Sequence, residues 1–152
     1  MSASGAERGV RTLTGRSLHP GVGAGALLPL GAPLSFWGGV DADGTVVDHH
    51  HPEHGTSLTG RVVAMRSGRG SSSSAAVLAE LIRAGRAPAA LVLAEPDSIV
   101  VVGALVAAEM YGTSMPIVEL SLDQLSALQG AVPATVTAGD AAGPATVTLE
   151  ER

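Results

Sequence analysis

The rhythm of apolar and polar positions changes near Gly60. Before it, short apolar stretches are broken by Pro20, Pro29, Pro33 and Pro52, a spacing that forbids a long helix and predicts strands and loops. Val10 to Leu18 alternates loosely as a strand; Gly21 to Leu28 reads as a glycine-rich turn leading into an apolar stretch. Leu34 to Val40 and Thr45 to Asp48 flank Asp41-Ala42-Asp43-Gly44, a hairpin signal. After Gly60 strands and helices alternate. Arg61 to Met65 is a short apolar strand, and Ser74 to Ala84 places Val77, Leu78, Leu81 and Ile82 on one helical face with Glu80 and Arg83 outward and Gly85 as the stop. Ala89 to Ala94 is a buried strand, and Asp97 is placed to cap a second helix running to about Tyr111, although Ile99-Val100-Val101-Val102 also suits a strand. Ile117 to Leu120 is a strand, Ser121 caps a short helix to Leu128, and Val132 to Thr137 with Ala145 to Leu149 form a hairpin around Gly139-Asp140. Residues 1–9 have no periodicity and read as a disordered tail, leaving residues 10–152 as one domain. The expected class is α/β with a small barrel-like or layered sheet.

Composition narrows the chemistry. With 152 residues one domain is expected, and with only Phe36, Trp37 and Tyr111 as aromatics the core must be built from aliphatic side chains. The net charge is −5 and every basic residue is arginine, so there is no basic stripe for nucleic acid. Without lysine a Walker A loop and Schiff-base catalysis are excluded; without cysteine there are no disulfides, thiolate nucleophiles or ordinary protein ligands for an iron–sulfur cluster. The longest apolar run, Ile99 to Ala108, is ten residues, short of the roughly 20 that span a bilayer. No secretory h-region is evident at the N-terminus, so a cytoplasmic location without membrane contact is expected.

Three motifs carry candidate chemistry. Gly21-Val22-Gly23-Ala24-Gly25-Ala26 fits G-x-G-x-x-[GA], but Pro29, Gly31 and Pro33 deny it the following helix, so a structural turn is expected in place of a dinucleotide site. His50 and His54 would share a metal on a helix; Pro52 between them argues for a solvated loop over Asp48 to His54 and no metal site. The third motif, Gly68-Arg69-Gly70-Ser71-Ser72-Ser73-Ser74, lies between a strand and a helix start, where backbone N–H groups converge on an anion. An N-capping role would account for one serine and leave three. A serine there could act as a base only with help, because a helix N-terminus supplies at most about 2 kcal/mol, or roughly 1.5 pKa units. Several N–H donors, a cation and exclusion of water by a second protein surface would be required.

The order Pro33-Leu34-Ser35-Phe36-Trp37-Gly38-Gly39-Val40-Asp41, His51-Pro52 with Gly55, Ser57-Leu58, Gly60-Arg61-Val62, Gly68 to Ser74, Val77-Leu78-Ala79-Glu80 and Gly85-Arg86-Ala87-Pro88 resembles the small subunit of aconitase X over nearly the whole chain beyond residue 10. The resemblance implies a swivelling β/β/α domain like the mobile domain of aconitases. It also implies a heterodimer with a large aconitase X-type subunit, which carries the iron–sulfur cluster as Lewis acid for a leaving hydroxyl. The aconitase loop G-x-G-S-S-R-E implies Ser71 as the base, with Arg69, Gly70, Ser72 and Ser73 around the substrate. The aconitase arginine that grips a carboxylate falls on Ser73, which argues against citrate or isocitrate. The implied substrate is a small hydroxy acid, cis-3-hydroxy-L-proline, with mevalonate 5-phosphate as the alternative. A non-catalytic swivel or anion-binding module is the other class of function the residues allow.

Overall fold

In the computed structural model, residues 9–151 are described. Seven strands, β1 (Gly9–His19), β2 (Gly21–Pro29), β3 (Val62–Met65), β4 (Ala90–Leu93), β5 (Ile117–Glu119), β6 (Pro133–Ala138) and β7 (Pro144–Glu151), close into a barrel in the order β1-β5-β4-β3-β2-β6-β7. The helices are α1 (Phe36–Gly39), α2 (Ser74–Arg83), α3 (Ser98–Tyr111) and α4 (Leu122–Ser126). Strands β2, β3, β4 and β5 run parallel to one another; β6, β7 and β1 complete the wall with antiparallel pairs. The α/β class and the barrel-like sheet follow the expectation from periodicity. Among the described residues no helix is long and apolar enough to cross a membrane.

The period-2 geometry of the short parallel strands divides the core in two. Val62 and Ala64 of β3, with Ala90 and Val92 of β4, point into the barrel against Leu27, Val118, Val136 and Val147. Their neighbours Val63, Met65, Leu91 and Leu93 point outward and are covered by Leu78 and Leu81 of α2 and Val100 and Ala104 of α3. Strands covered on both faces read as continuous apolar runs, which is why β3 and β4 are buried at every position. Their side chains are small and aliphatic, so the barrel closes tightly with few aromatics.

Several boundaries differ from the sequence expectation. Gly9 already belongs to β1; the rest of the expected tail, residues 1–8, lies outside the described residues, as does residue 152. The glycine-rich segment from Gly21 is a strand throughout. Gly23 and Gly25 face Val136 and Ala134 across the β2–β6 ladder, and a Cβ on either would lie 2.0 Å from the carbonyl oxygen of Ala89 or Gly60, where the chain enters β4 and β3. Those glycines therefore permit close approach inside the barrel. The hairpin expected around Asp41 to Gly44 survives as one bridge, Val40 to Val46, with the Asp41 carboxylate accepting from Asp43 and Thr45 N–H at 2.9 and 3.0 Å. The ambiguous Ile99 stretch is helical because the Asp97 side chain accepts the Ile99 N–H at 2.9 Å and starts α3.

Candidate functional site

Strand β3 ends at Met65 and α2 starts at Ser74, so the serine loop is the connection between a parallel strand and its helix. Strand β4 delivers α3 beside it in the same way, so the N-termini of α2 and α3 flank one crevice at the carboxyl ends of the strands, where open parallel sheets place ligands. An open groove of about 350 Å³ there is lined by Ser67, Gly68, Arg69, Gly70, Glu95, Asp97 and Ser98. Arg69 is exposed, and among the described residues no carboxylate pairs with it, whereas Arg66 is held by Glu95 at 2.8 Å.

The loop is folded tightly on itself. Ser71 is half-buried, and its Oγ accepts the Ser73 N–H at 3.1 Å while its carbonyl accepts the Ser74 N–H at 2.9 Å. A serine oxygen that already accepts an N–H at the head of a helix is held in the arrangement that favours negative charge on it. Ser72 and Ser73 are exposed, and Ser73, at the cap position of α2, makes no side-chain cap bond. Gly70 has φ +104, a conformation that favours glycine, and places Ser71 at the turn. The structure thus brings Arg69, Gly70, Ser71, Ser72 and Ser73 onto one exposed rim.

Residues not singled out as site residues complete the surroundings. Ser74 is 3% exposed, and its Oγ accepts the Trp37 N–H at 3.0 Å. A Cβ at Gly68 would sit 1.9 Å from Asp97 Oδ2, so the carboxylate that caps α3 with one oxygen lies on the loop with the other. Behind the loop a recess of about 10 Å³ is lined by Leu34, Phe36, Ser71, Ser74 and Asp97, room for no more than one water. The sequence carried a signal for Asp97, as a helix cap, but none for its second contact.

The histidine segment is not uniformly solvated. His51 is 6% exposed; its Nε2 lies 3.0 Å from the Ala32 carbonyl oxygen, and its Nδ1 lies 3.0 Å from the Glu53 N–H nitrogen and 3.3 Å from Glu53 Oε2. His49 and His54 stack outside with ring centroids 4.6 Å apart, and His50 is exposed. Among the described residues no group of three or more His, Cys, Asp or Glu is placed to hold a metal ion. His51 serves to tie this loop to the segment that leads to Ser35.

Residues 12–148 match the sequence pattern of the aconitase X swivel domain. The chain is 50% identical over 115 residues to the cis-3-hydroxy-L-proline dehydratase of Pseudomonas aeruginosa, covering 74% of this chain and 20% of that one. It is 36% identical over 109 residues to the phosphomevalonate dehydratase small subunit of Pyrococcus furiosus, covering 71% of this chain and 81% of that one. The chain therefore spans about a fifth of the P. aeruginosa enzyme and most of the P. furiosus subunit. The aconitase X structure from Thermococcus kodakaraensis superposes with a TM-score of 0.78 at 28% identity, over 91% of this chain and 98% of that one. With the family pattern running from β1 into β7 and the barrel shared with a solved aconitase X, this chain belongs to the aconitase X swivel-domain family.

Proposed function

We propose that this chain is the swivel-domain part of a hydro-lyase that dehydrates a small hydroxy acid, with Ser71 as the base and cis-3-hydroxy-L-proline as the substrate. The observation that carries the proposal is the half-buried Ser71 hydroxyl, held by the Ser73 N–H at 3.1 Å at the head of α2 and directly following Arg69 and Gly70, which line the groove. In the reaction Ser71 Oγ takes the proton from the carbon next to the carboxylate. The C–H electron pair becomes the new carbon–carbon double bond, and the hydroxyl on the neighbouring carbon departs, for a net loss of one water. Arg69, with the N–H groups of Gly70, Ser72 and Ser73, supplies the positive field that lowers the cost of charge on Ser71 and on the substrate carboxylate.

Alone, the site is too open for this chemistry, since a serine loses its proton only where water is excluded. A large aconitase X-type subunit closing over the loop meets that need. The name of the P. furiosus relative, a small subunit, supports a separate partner chain. An iron–sulfur cluster belongs to that partner in this proposal: this chain has no cysteine, and among its described residues no other donors are grouped to replace it. The substrate choice is supported by the 50% identity to the hydroxyproline enzyme. It also suits a loop whose one cation, Arg69, matches a carboxylate better than a phosphate dianion. The coverage of the phosphomevalonate dehydratase small subunit keeps mevalonate 5-phosphate as the second reading.

The test is to assemble the chain with its large partner and assay both substrates side by side. Turnover of cis-3-hydroxy-L-proline is expected, and Ser71→Ala is expected to lower kcat by about 10²–10⁴-fold with assembly by native mass spectrometry unchanged. Turnover of mevalonate 5-phosphate alone would transfer the proposal to the second substrate, and an active Ser71→Ala enzyme would remove Ser71 as the base.

A further inference from the structure

Two hydroxyls outside the proton transfer close a ring on the backbone N–H and carbonyl of Trp37. The Trp37 N–H donates to Ser74 Oγ at 3.0 Å, Ser35 Oγ donates to the Trp37 carbonyl at 2.9 Å, and the two hydroxyl oxygens lie 3.4 Å apart on the long side of the ring. Because the Ser35 hydrogen is committed to the carbonyl, the contact between hydroxyls runs from Ser74 to Ser35. Inside α1 the ring holds a turn whose dihedrals are those of type II, with Trp37 at φ −79, ψ 115 and Gly38 at φ 78, ψ −15.

The same two residues bracket the serine loop, Ser35 against Gly70 before Ser71 and Ser74 at the other end. Ser35 Oγ fills the space above Gly70, where a Cβ would lie 2.6 Å from it, and Gly70 immediately precedes Ser71. Ser74, at the other end, donates its N–H to the Ser71 carbonyl at 2.9 Å. Ser71 is thus suspended between two fixed points that meet at one hydrogen-bonded ring, and Ser74 is among the few buried polar residues of the chain. A buried hydroxyl whose only partners lie in the adjoining turn does not add to the apolar core; it fixes one loop against another.

We propose that Ser74 and Ser35 are positioning residues that hold Ser71 in register for proton transfer, an inference that rests on the role given to Ser71 above. In the assembled enzyme, Ser74→Ala and Ser35→Ala are each expected to lower kcat about 10–100-fold, the scale of a displacement of about 1 Å at a reacting group. KM and assembly are expected to stay within about twofold, because both hydroxyls are engaged by the Trp37 backbone and each other and neither residue lines the groove. The double variant is expected to lose no more than the worse single variant, since either change opens the same ring. Trp37 is the one tryptophan of the chain, so its fluorescence anisotropy, expected to fall in both variants, reports the loosened turn directly. A purely structural role would lower the melting temperature and leave kcat unchanged in enzyme that still assembles, and that result would overturn the proposal, as would losses that multiply in the double variant. If Ser74→Ala fails to fold, half-buried Ser35→Ala decides alone. An active Ser71→Ala enzyme counts against the base assignment, whereas an inactive Ser71→Ala beside fully active Ser35→Ala and Ser74→Ala counts against this inference only.

Discussion

Substitution of Gly25 by alanine tests whether β2 glycines exist for close approach inside the barrel. The added Cβ would sit 2.0 Å from the Gly60 carbonyl oxygen and 3.1 Å from its carbon. An ordinary carbon–oxygen contact is about 3.3 Å or longer, so the backbone at Gly60 must retreat by about 1.3 Å. It has little freedom to do so, because Val62, two residues on, is paired to Leu27 of β2 on one side and to Ala90 of β4 on the other, in a sheet that closes on itself. Overpacking costs about 1–3 kcal/mol where side chains can shift, and moving ladder backbone places this case at about 3 kcal/mol or more. For a domain of this size that corresponds to a fall in Tm of about 6–12 °C. Gly139→Ala is the control, since its Cβ would meet only the Pro144 carbonyl oxygen at 3.7 Å, an ordinary contact, and a change within about 0.5 kcal/mol is expected. Thermal unfolding of the chain followed by circular dichroism measures both. A Gly25→Ala protein that melts within about 2 °C of the parent would refute the reasoning and return the glycines to a turn-forming role.

Two further outcomes follow from side-chain pairs. His51→Ala leaves the half-buried Ala32 carbonyl and Glu53 N–H without their partners and is expected to cost about 1–3 kcal/mol in urea unfolding, a loss that His50→Ala at the exposed neighbour should not share. Glu80 is held below the ordinary glutamate pKa by its hydrogen bond from Arg83, whose Nε lies 2.8 Å away, and by the guanidinium charge. A depressed carboxylate pKa contributes stability above the unfolded pKa and loses it as pH falls through the folded one. Arg83→Met is therefore expected to raise the Glu80 pKa, measured by NMR titration of its side-chain carboxyl carbon; an unmoved titration would show that the pair does not persist in solution.

The local elements were legible in the chain because their causes are local. The apolar face of α2, the Asp97 cap of α3, the capping box in which Ser121 and Gln124 exchange bonds, and the alternation of β6 and β7 all depend on residues a few positions apart. The serine loop was legible for the same reason, as a glycine- and serine-rich connection between a strand and a helix start. What tertiary structure decided depends on residues far apart in sequence. Gly23 and Gly25 read as turn formers until Ala89 and Gly60 arrive against them, and His51 reads as solvated until the Ala32 carbonyl covers it. Trp37 and Ser74 are 37 residues apart, and no periodicity relates them; only the packing of the Phe36 turn on the start of α2 places that N–H on that hydroxyl. Sequence by itself determined most of the strands and helices after Gly60 and marked the serine loop as the candidate for the chemistry. The closed barrel decided which glycines face backbone, which polar groups are buried, and how Ser71 is held, because the direction of a side chain and its partner exist only once distant segments share one interior.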